Sequence, residues 1–273
     1  MKSFSGKVVV ITGAASGIGR ALAIQLSKEG AALALSDVNQ EALEETRSQL
    51  TGPGKVTTQY LDVADRAAFH AYADQVVADH GVVDMVVNNA GVSVSENIEN
   101  LSYDDMEWIV NINFWGVVHG TKAFLPYLQQ RPEAALVNVS SIFGIVALPA
   151  QGIYNATKFA VRGFTECLRQ EMEGTNLFVT TVHPGGIRTN IVRNGRNRAS
   201  ITGDRLPQET MAKIFERTAL TTPAKAADVI LTGVRKGNRR ILIGADARGM
   251  DRLQRRFPVR YGAIIRWIIM KLV

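Results

Sequence analysis

The sequence predicts an α/β protein, one parallel sheet of about seven strands with helices on both faces, and three observations carry that prediction. Apolar, β-branched runs of strand length alternate with helix-patterned segments from residue 7 to about 245. No Pro/Gly/Ser-rich linker interrupts the alternation, so residues 1–250 read as a single domain. The first run leads straight into a glycine-rich turn and then a helix. Strands separated by helices of this length make right-handed βαβ crossovers, which wind a sheet in both directions from its first strand.

The elements follow in order. "KVVVIT" (7–12) is a buried strand, and "RALAIQLSKEG" (20–30) a helix that Gly30 ends. "AALALS" (31–36) and "QEALEETRSQL" (40–50) give the next strand and a helix with a polar face. "KVTTQYL" (55–61) and "RAAFHAYADQVVADHG" (66–81) repeat the unit, and "VDMVVNN" (83–89) is a fourth strand. A long helix runs from Ser102 to about 128, opened by Ser102 with Asp105 three later as a capping box. "AALVNVS" (134–140), a second long helix from Tyr154, and "LFVTTVH" (177–183) follow. "AADVILTGVRKG" (226–237) and "RRILIG" (239–244) supply a last helix and strand. The exception is 188–222, polar, glycine-dotted and poorly periodic, with one helix near 208–218, which reads as a lid over a site.

Composition excludes several classes. The start holds an apolar run too short for a secretory signal, and no stretch reaches the ~18–20 apolar residues that span a bilayer. Cys167 is the single cysteine, so no internal disulfide forms, which suits a reducing compartment such as the cytoplasm. No His/Cys/Asp cluster has metal-ligand spacing. The net charge of +6 is unevenly placed, since residues 235–273 hold eleven Lys/Arg against Asp246 and Asp251. No nucleic-acid reading motif accompanies these cations.

The turn "TGAASGIG" (12–19) places Gly13, Gly17 and Gly19 between the first strand and the first helix. Glycines let the backbone approach a ligand closely, and the helix start offers unpaired N–H groups and a positive dipole end to a pyrophosphate. Asp37 follows the second strand, where a carboxylate accepts hydrogen bonds from both adenosine ribose hydroxyls and repels a 2′-phosphate. Tyr154 and Lys158 stand four apart, on one face of a helix. A lysine ammonium at that distance favours the phenolate and so suits the tyrosine to general acid/base work.

The spacing G-x-x-x-G-x-G resembles that of the classical short-chain dehydrogenases/reductases (SDRs). "NNAG" (88–91), "NFWG" (113–116), "NVSSIFG" (138–144), Tyr154-x-x-x-Lys158 and "HPGGIRT" (183–189) continue the resemblance in order. It implies a Rossmann-type doubly wound sheet and an NAD(P)-dependent oxidoreductase that interconverts a secondary alcohol and a ketone. It also implies a tetrad. Tyr154 is the acid/base, and Lys158 also holds the nicotinamide ribose. Ser141, thirteen before Tyr154 and favoured over Ser140, steadies the substrate oxygen. Asn113, favoured over Asn111 because it stands three before Gly116, kinks its helix and holds a water that leads to Lys158. Gly13, Ser16, Gly17, Ile18 and Gly19 would line the pyrophosphate. Asp62 and Val63 would flank the adenine, and Asn89, Ala90 and Gly91 the nicotinamide ribose. Pro184, Gly185, Ile187 and Thr189 would meet the nicotinamide end. Neutral Ser16 stands where NADP(H)-using relatives often carry a cation, so NAD is the expected cofactor. His183 is expected to shape the turn before Pro184, and His119 to be a packing or surface residue.

Phe143, Ile145, Val146, Val92 and Val94 give the pocket an apolar mouth, while Arg193, Arg196, Arg198 and Arg205 stand ready for an acidic substrate group or for water. The alternative function is a catalytically inactive nucleotide-sensing regulator or scaffold of the same fold. Residues 251–273 form a basic C-terminal extension. From Tyr261 on, Ile264, Ile265, Ile268 and Leu272 make one helical stripe, broadened by Trp267 and Ile269, with Arg260, Arg266 and Lys271 as flanking cations. Two partners fit 261–273: a second subunit, in a homo-dimer or homo-tetramer, or an anionic membrane surface touched peripherally.

Overall fold

A computed structural model describes residues 1–200 and 204–272, with side chains as far as Ile268. Ile201, Thr202 and Gly203 of the lid, the side chains of Ile269, Lys271 and Leu272, and Val273 lie outside the described residues.

The chain begins with strand β1 (Val8–Thr12), helix α1 (Gly17–Lys28), β2 (Ala32–Asp37), α2 (Gln40–Ser48), β3 (Val56–Tyr60), α3 (Arg66–His80) and β4 (Met85–Asn88). A two-residue strand β5 (Val94–Ser95) precedes α4 (Tyr103–Val110), α5 (Gly116–Gln129), β6 (Ala134–Val139), α6 (Gly152–Glu171) and β7 (Leu177–Pro184). Then come β8 (Arg196–Asn197), α7 (Gln208–Thr218), α8 (Pro223–Arg235), β9 (Arg240–Ile243), α9 (Ala245–Arg256) and α10 (Tyr261–Leu272).

Among the described residues seven strands form one parallel sheet in the order β3-β2-β1-β4-β6-β7-β9. The order reverses beside β1, so the carboxyl ends of β1 and β4 border the crevice where doubly wound sheets bind ligands. Side chains alternate across the pleat and build two cores. Val9, Ile11, Leu33, Leu35, Met85 and Val87 face Leu22, Leu26, Ile230 and Leu231 of α1 and α8. Val10, Ala34, Val86 and Leu136 face Phe69, Tyr72, Val76 and Phe124 of α3 and α5. Fully buried strands on both faces explain why the sequence shows continuous apolar runs.

Three local features depart from the expectations. The long helix after Ser102 is interrupted at Asn111–Trp115 by a π-turn, which separates α4 from α5. The Ser102 hydroxyl does accept the Asp105 N–H (3.2 Å), but the Asp105 carboxylate turns to the lid arginines rather than completing a capping box. Helix α9 was not predicted. Its core stripe is only Ala247, Met250 and Leu253 on an arginine-rich segment, too thin a signal to read as a helix. Running from 245 to 256, it straddles residue 250, so the catalytic unit and the basic extension share a helix.

Candidate active site

The glycine turn is shaped for close approach. Gly13 and Gly17 take φ of +66° and +55°, a left-handed conformation that other residues resist. A Cβ on Gly19 would lie 2.2 Å from the Gly13 carbonyl oxygen, and one on Gly13 2.8 Å from Ala90 Cα. Asn89 locks the two strand ends together: its Nδ2 donates to the carbonyls of Thr12 (2.9 Å) and Gly13 (3.1 Å), while the Thr12 hydroxyl accepts the N–H groups of Asn89 and Ala90.

The helix start behind the turn fits an anion. Helices α2, α3, α4 and α8 are capped by the side chains of Asn39, Asp65, Ser102 and Thr222. At α1 the N-cap residue Ser16 makes no such bond, and the first turn holds no acid. The N–H groups at Gly17, Ile18 and Gly19 thus point outward at the positive end of the helix dipole. A cleft opens there, lined by Gly17, Arg188, Thr189, Asn190 and Arg193 among others. Asp37 stands at the end of β2, its carboxylate accepting the N–H groups of Ala15 and Asn39 (both 3.0 Å). The fold also brings Arg20 to this corner, which the local sequence did not suggest. Its guanidinium is directed to the Ala15 and Ala42 carbonyls and to Glu45, not to Asp37. Asp62 accepts the Ala64 N–H, and buried Val63 packs on Gly116.

The tetrad residues converge at the carboxyl ends of β4 and β6. Tyr154 and Lys158, on the first turns of α6, are both buried, with the ammonium 5.8 Å from the phenol ring centroid. Ser141 follows β6 and its hydroxyl accepts the Phe143 N–H (3.1 Å) on the side of Tyr154, whereas the Ser140 hydroxyl points away to donate to the Lys158 carbonyl (2.7 Å). The two neighbouring side chains diverge, as they do across a strand's pleat. Burial pushes the Tyr154 hydroxyl above its ordinary value, and the neighbouring Ser141 hydroxyl pulls it partly back. The same burial lowers the Lys158 ammonium to about 8, with its Nζ donating to the Val139 carbonyl (3.2 Å). The expected preference for phenolate is therefore opposed by desolvation of both groups.

Asn113 sits inside the π-turn, fully buried. Its Oδ1 accepts the Val92 N–H (2.8 Å) and its Nδ2 donates to the Val92 carbonyl (2.9 Å). Asparagine is a weak helix former, and an extra residue in the turn frees it to reach sideways to the strand end. Between Asn113 and Lys158 lies Gly91, where a Cβ would come within 3.1 Å of Asn113 Oδ1 and 3.3 Å of Lys158 Nζ.

A profile of the family described as short chain dehydrogenase matches residues 7–200. The chain belongs to the short-chain dehydrogenase family. A Mycobacterium tuberculosis protein named as an oxidoreductase, SadH, is 47% identical over 269 residues, covering 97% of this chain and 96% of its own. The 3-oxoacyl-[acyl-carrier-protein] reductase FabG of Thermotoga maritima is 35% identical over 83% of this chain and 89% of its own. Among solved structures, a short-chain dehydrogenase/reductase of Burkholderia phymatum in complex with NAD superposes with a TM-score of 0.86 at 30% identity, over 94% of this chain and 95% of that one.

Two further residues shape the site, Asp246, which the sequence did not mark, and His183, expected to shape only the turn before Pro184. Pro184 closes β7, and the loop through Gly185, Ile187 and Thr189 is held by Asp246 at the start of α9, whose Oδ2 accepts the Gly186 N–H (2.6 Å). A Cβ on Gly185 would meet that carboxylate at 2.2 Å. Ile187 bridges Thr221, and Thr189 packs on Gly17. Asp246 lies sixty residues away in sequence, on a helix with no strong pattern, so no local signal marked it.

The second is His183. It is fully buried, with Nδ1 2.9 Å from the Ser141 carbonyl, so it braces Ser141 rather than only the turn before Pro184. A carbonyl only accepts, so Nδ1 carries the proton and donates. Burial lowers the imidazole to about 4, which keeps it neutral. An unfolded chain takes up that proton at about pH 6.5. Stability is therefore expected to fall as pH drops from about 6.5 to about 4, because only the unfolded chain binds the proton in that window. Denaturant unfolding across this range should show the slope in the wild type and not in His183→Asn, whose Nδ2–H reproduces the bond to Ser141. His183→Leu should lose both the slope and much of kcat.

The lid arginines are already partnered. Arg196 and Arg198 reach the buried carboxylate of Asp105 (2.9 and 2.5 Å), and Arg196 also stacks over Trp108. Burial pushes the Asp105 carboxyl up, but the arginine and Ser102 bonds outweigh it and hold the group below its ordinary value. Arg205 pairs with buried Glu96 (2.8 Å), and Arg193 with Glu209 and Glu216. β8 also pairs in parallel with β5, clamping the lid beside Asn113's strand end. Arg196, Arg198 and Arg205 thus fasten the lid to the scaffold, while Arg193 ties the lid to its own helix α7.

Proposed function

We propose that this chain is an NAD-dependent oxidoreductase interconverting a secondary alcohol and a ketone of largely apolar character. The observation that carries the reading is the convergence of Asn113, Ser141, Tyr154 and Lys158 at the sheet's switch point, beside an uncapped helix start and Asp37. Gly13, Ser16, Gly17, Ile18 and Gly19 would hold the pyrophosphate, with Arg188 offering a nearby cation. Asp37 would hold the adenosine ribose, Asp62 and Val63 the adenine, and Asn89, Ala90, Gly91 and Lys158 the second ribose. Pro184, Gly185, Ile187 and Thr189 would wall the nicotinamide. Bound there, the nicotinamide accepts or supplies the hydride.

The chain's own residues do the rest. Ser141 donates a hydrogen bond to the substrate oxygen, and Tyr154 takes the alcohol proton at its phenolic oxygen, or returns it to the carbonyl in reduction. Lys158 stabilises the phenolate by its charge, and Asn113 ties the strand end at Val92 to the helix beside it. Val94, Leu101, Ile109 and Phe143 around Tyr154 exclude water and favour an apolar substrate. The lid arginines, being paired within the chain, argue against recognition of an acidic group by those side chains. Exposed Trp115 and Phe159 support assembly into a homo-dimer or homo-tetramer.

The deciding assay is reduction of NAD⁺ by the purified protein across a panel of secondary alcohols, including steroids, long acyl chains and small diols. Asp37 should make kcat/KM with NAD⁺ exceed that with NADP⁺ by about tenfold or more, through repulsion of the 2′-phosphate. Asp37→Ala should narrow the gap mainly by raising the KM for NAD⁺. Equal efficiency of the wild type with both cofactors would remove the assignment.

A further inference from the structure

The tail does not present the stripe its sequence suggested. Ile265 is buried against Ile142, Ile145, Val146 and Leu148, and the Tyr261 hydroxyl accepts the Ala147 N–H (3.1 Å). One edge of α10 is thus consumed inside the chain, next to the segment that follows Ser141. What remains outside is a different surface. Residues 255–260, the last two of α9 and the turn to α10, are all exposed, and Phe257 (43%) and Val259 (92%) project from the turn. Trp267 (59%) and Ile268 (42%) lie exposed on α10. Arg252, Arg256, Arg260 and Arg266 are exposed among them, and no Asp or Glu follows Asp251 in the sequence.

Charge decides between the occupants. A second copy joined through this patch about a two-fold axis would set the same arginines against themselves, with no acid on the patch beyond Asp251. Asp251 is buried and already bridges Arg240 and Arg255. A nucleic acid would match the charge but leave the projecting Phe257 and Val259 without a purpose. A bilayer with anionic headgroups matches both, taking apolar tips into its interface while arginines stay at the phosphates. Among the described residues no helix is long and apolar enough to cross a membrane, and α10's twelve residues rise only ~18 Å. We propose that the segment 255–260 and the outer face of α10 form a peripheral docking surface for anionic lipid bilayers.

The test is co-sedimentation of the full chain with vesicles of phosphatidylcholine alone or mixed with phosphatidylglycerol. Wild-type protein should pellet with the anionic vesicles only, and raised salt should release it. Arg256→Gln with Arg260→Gln should lower partitioning by about fivefold per arginine. Val259→Asp should lower it similarly while leaving the circular dichroism spectrum unchanged. The proposal is overturned if wild-type protein stays in the supernatant or pellets equally with both vesicles. It is equally overturned if Val259→Asp leaves vesicle binding intact, or if that variant dissociates an oligomer that never bound vesicles.

Discussion

Tyr154→Phe is expected to leave a folded protein that binds NAD(H) while kcat falls roughly 10²–10⁴-fold, the usual contribution of a positioned acid/base. The ring is buried and packs edge-on against Phe143 at 6.1 Å, and phenylalanine keeps that contact and nearly all the volume. Only the hydroxyl beside Ser141 is lost. Because burial holds the phenol protonated above its ordinary value, the oxidation rate of the wild type should climb with pH as the phenolate fraction grows. The variant's residual rate should not follow that climb. Cofactor titration by fluorescence separates binding from turnover. Turnover within tenfold of wild type, on any substrate found, would remove Tyr154 from the chemistry.

How much of this was legible in the sequence depends on how local the cause is. The central strands were readable because both faces of a parallel sheet are buried there, which forces uninterrupted runs such as "VVVIT" and "ALVNV". The half-exposed edge strand "VTTQY" was read from its β-branched residues and its place in the alternation. The glycine turn and the Tyr154/Lys158 pair were readable because each is set by spacing within one or two turns of chain. Ser141 was preferred over Ser140 on its thirteen-residue interval to Tyr154, and the Ser140 hydroxyl is directed to the Lys158 carbonyl. The π-turn was not readable in register, although Asn113 was marked as the place where the helix bends. Its cause is a bond pair to Val92, twenty-one residues away. The lid arginines were ambiguous for the same reason. The partners of Arg196, Arg198 and Arg205, Asp105 and Glu96, lie about a hundred residues back and are buried, which composition does not reveal. Asp246 and His183 act through backbone groups, and a backbone acceptor has no signature in a sequence.

Lys158→Met should abolish turnover and at the same time make the protein more stable at neutral pH. Burial lowers the ammonium to about 8, against an ordinary value of 10.5, so the folded state binds that proton less tightly than the unfolded chain does. Below pH 8 both states are charged and the full difference counts against folding; between about 8 and 10.5 the folded lysine sheds its proton first and the cost fades. The penalty at pH 7 is on the order of 3 kcal/mol, each pKa unit being about 1.4. Methionine fills the same channel without a charge, and gives back about 1 kcal/mol by leaving the Val139 carbonyl without its donor. Denaturant unfolding of both proteins should therefore show the variant ahead at pH 7 and the gap closing as pH rises toward 10. The order reversed, or a gap that does not change with pH, would mean that the ammonium is not held at a cost. A stable, inactive Lys158→Met would instead show that this site keeps a buried charge for its chemistry and against its fold.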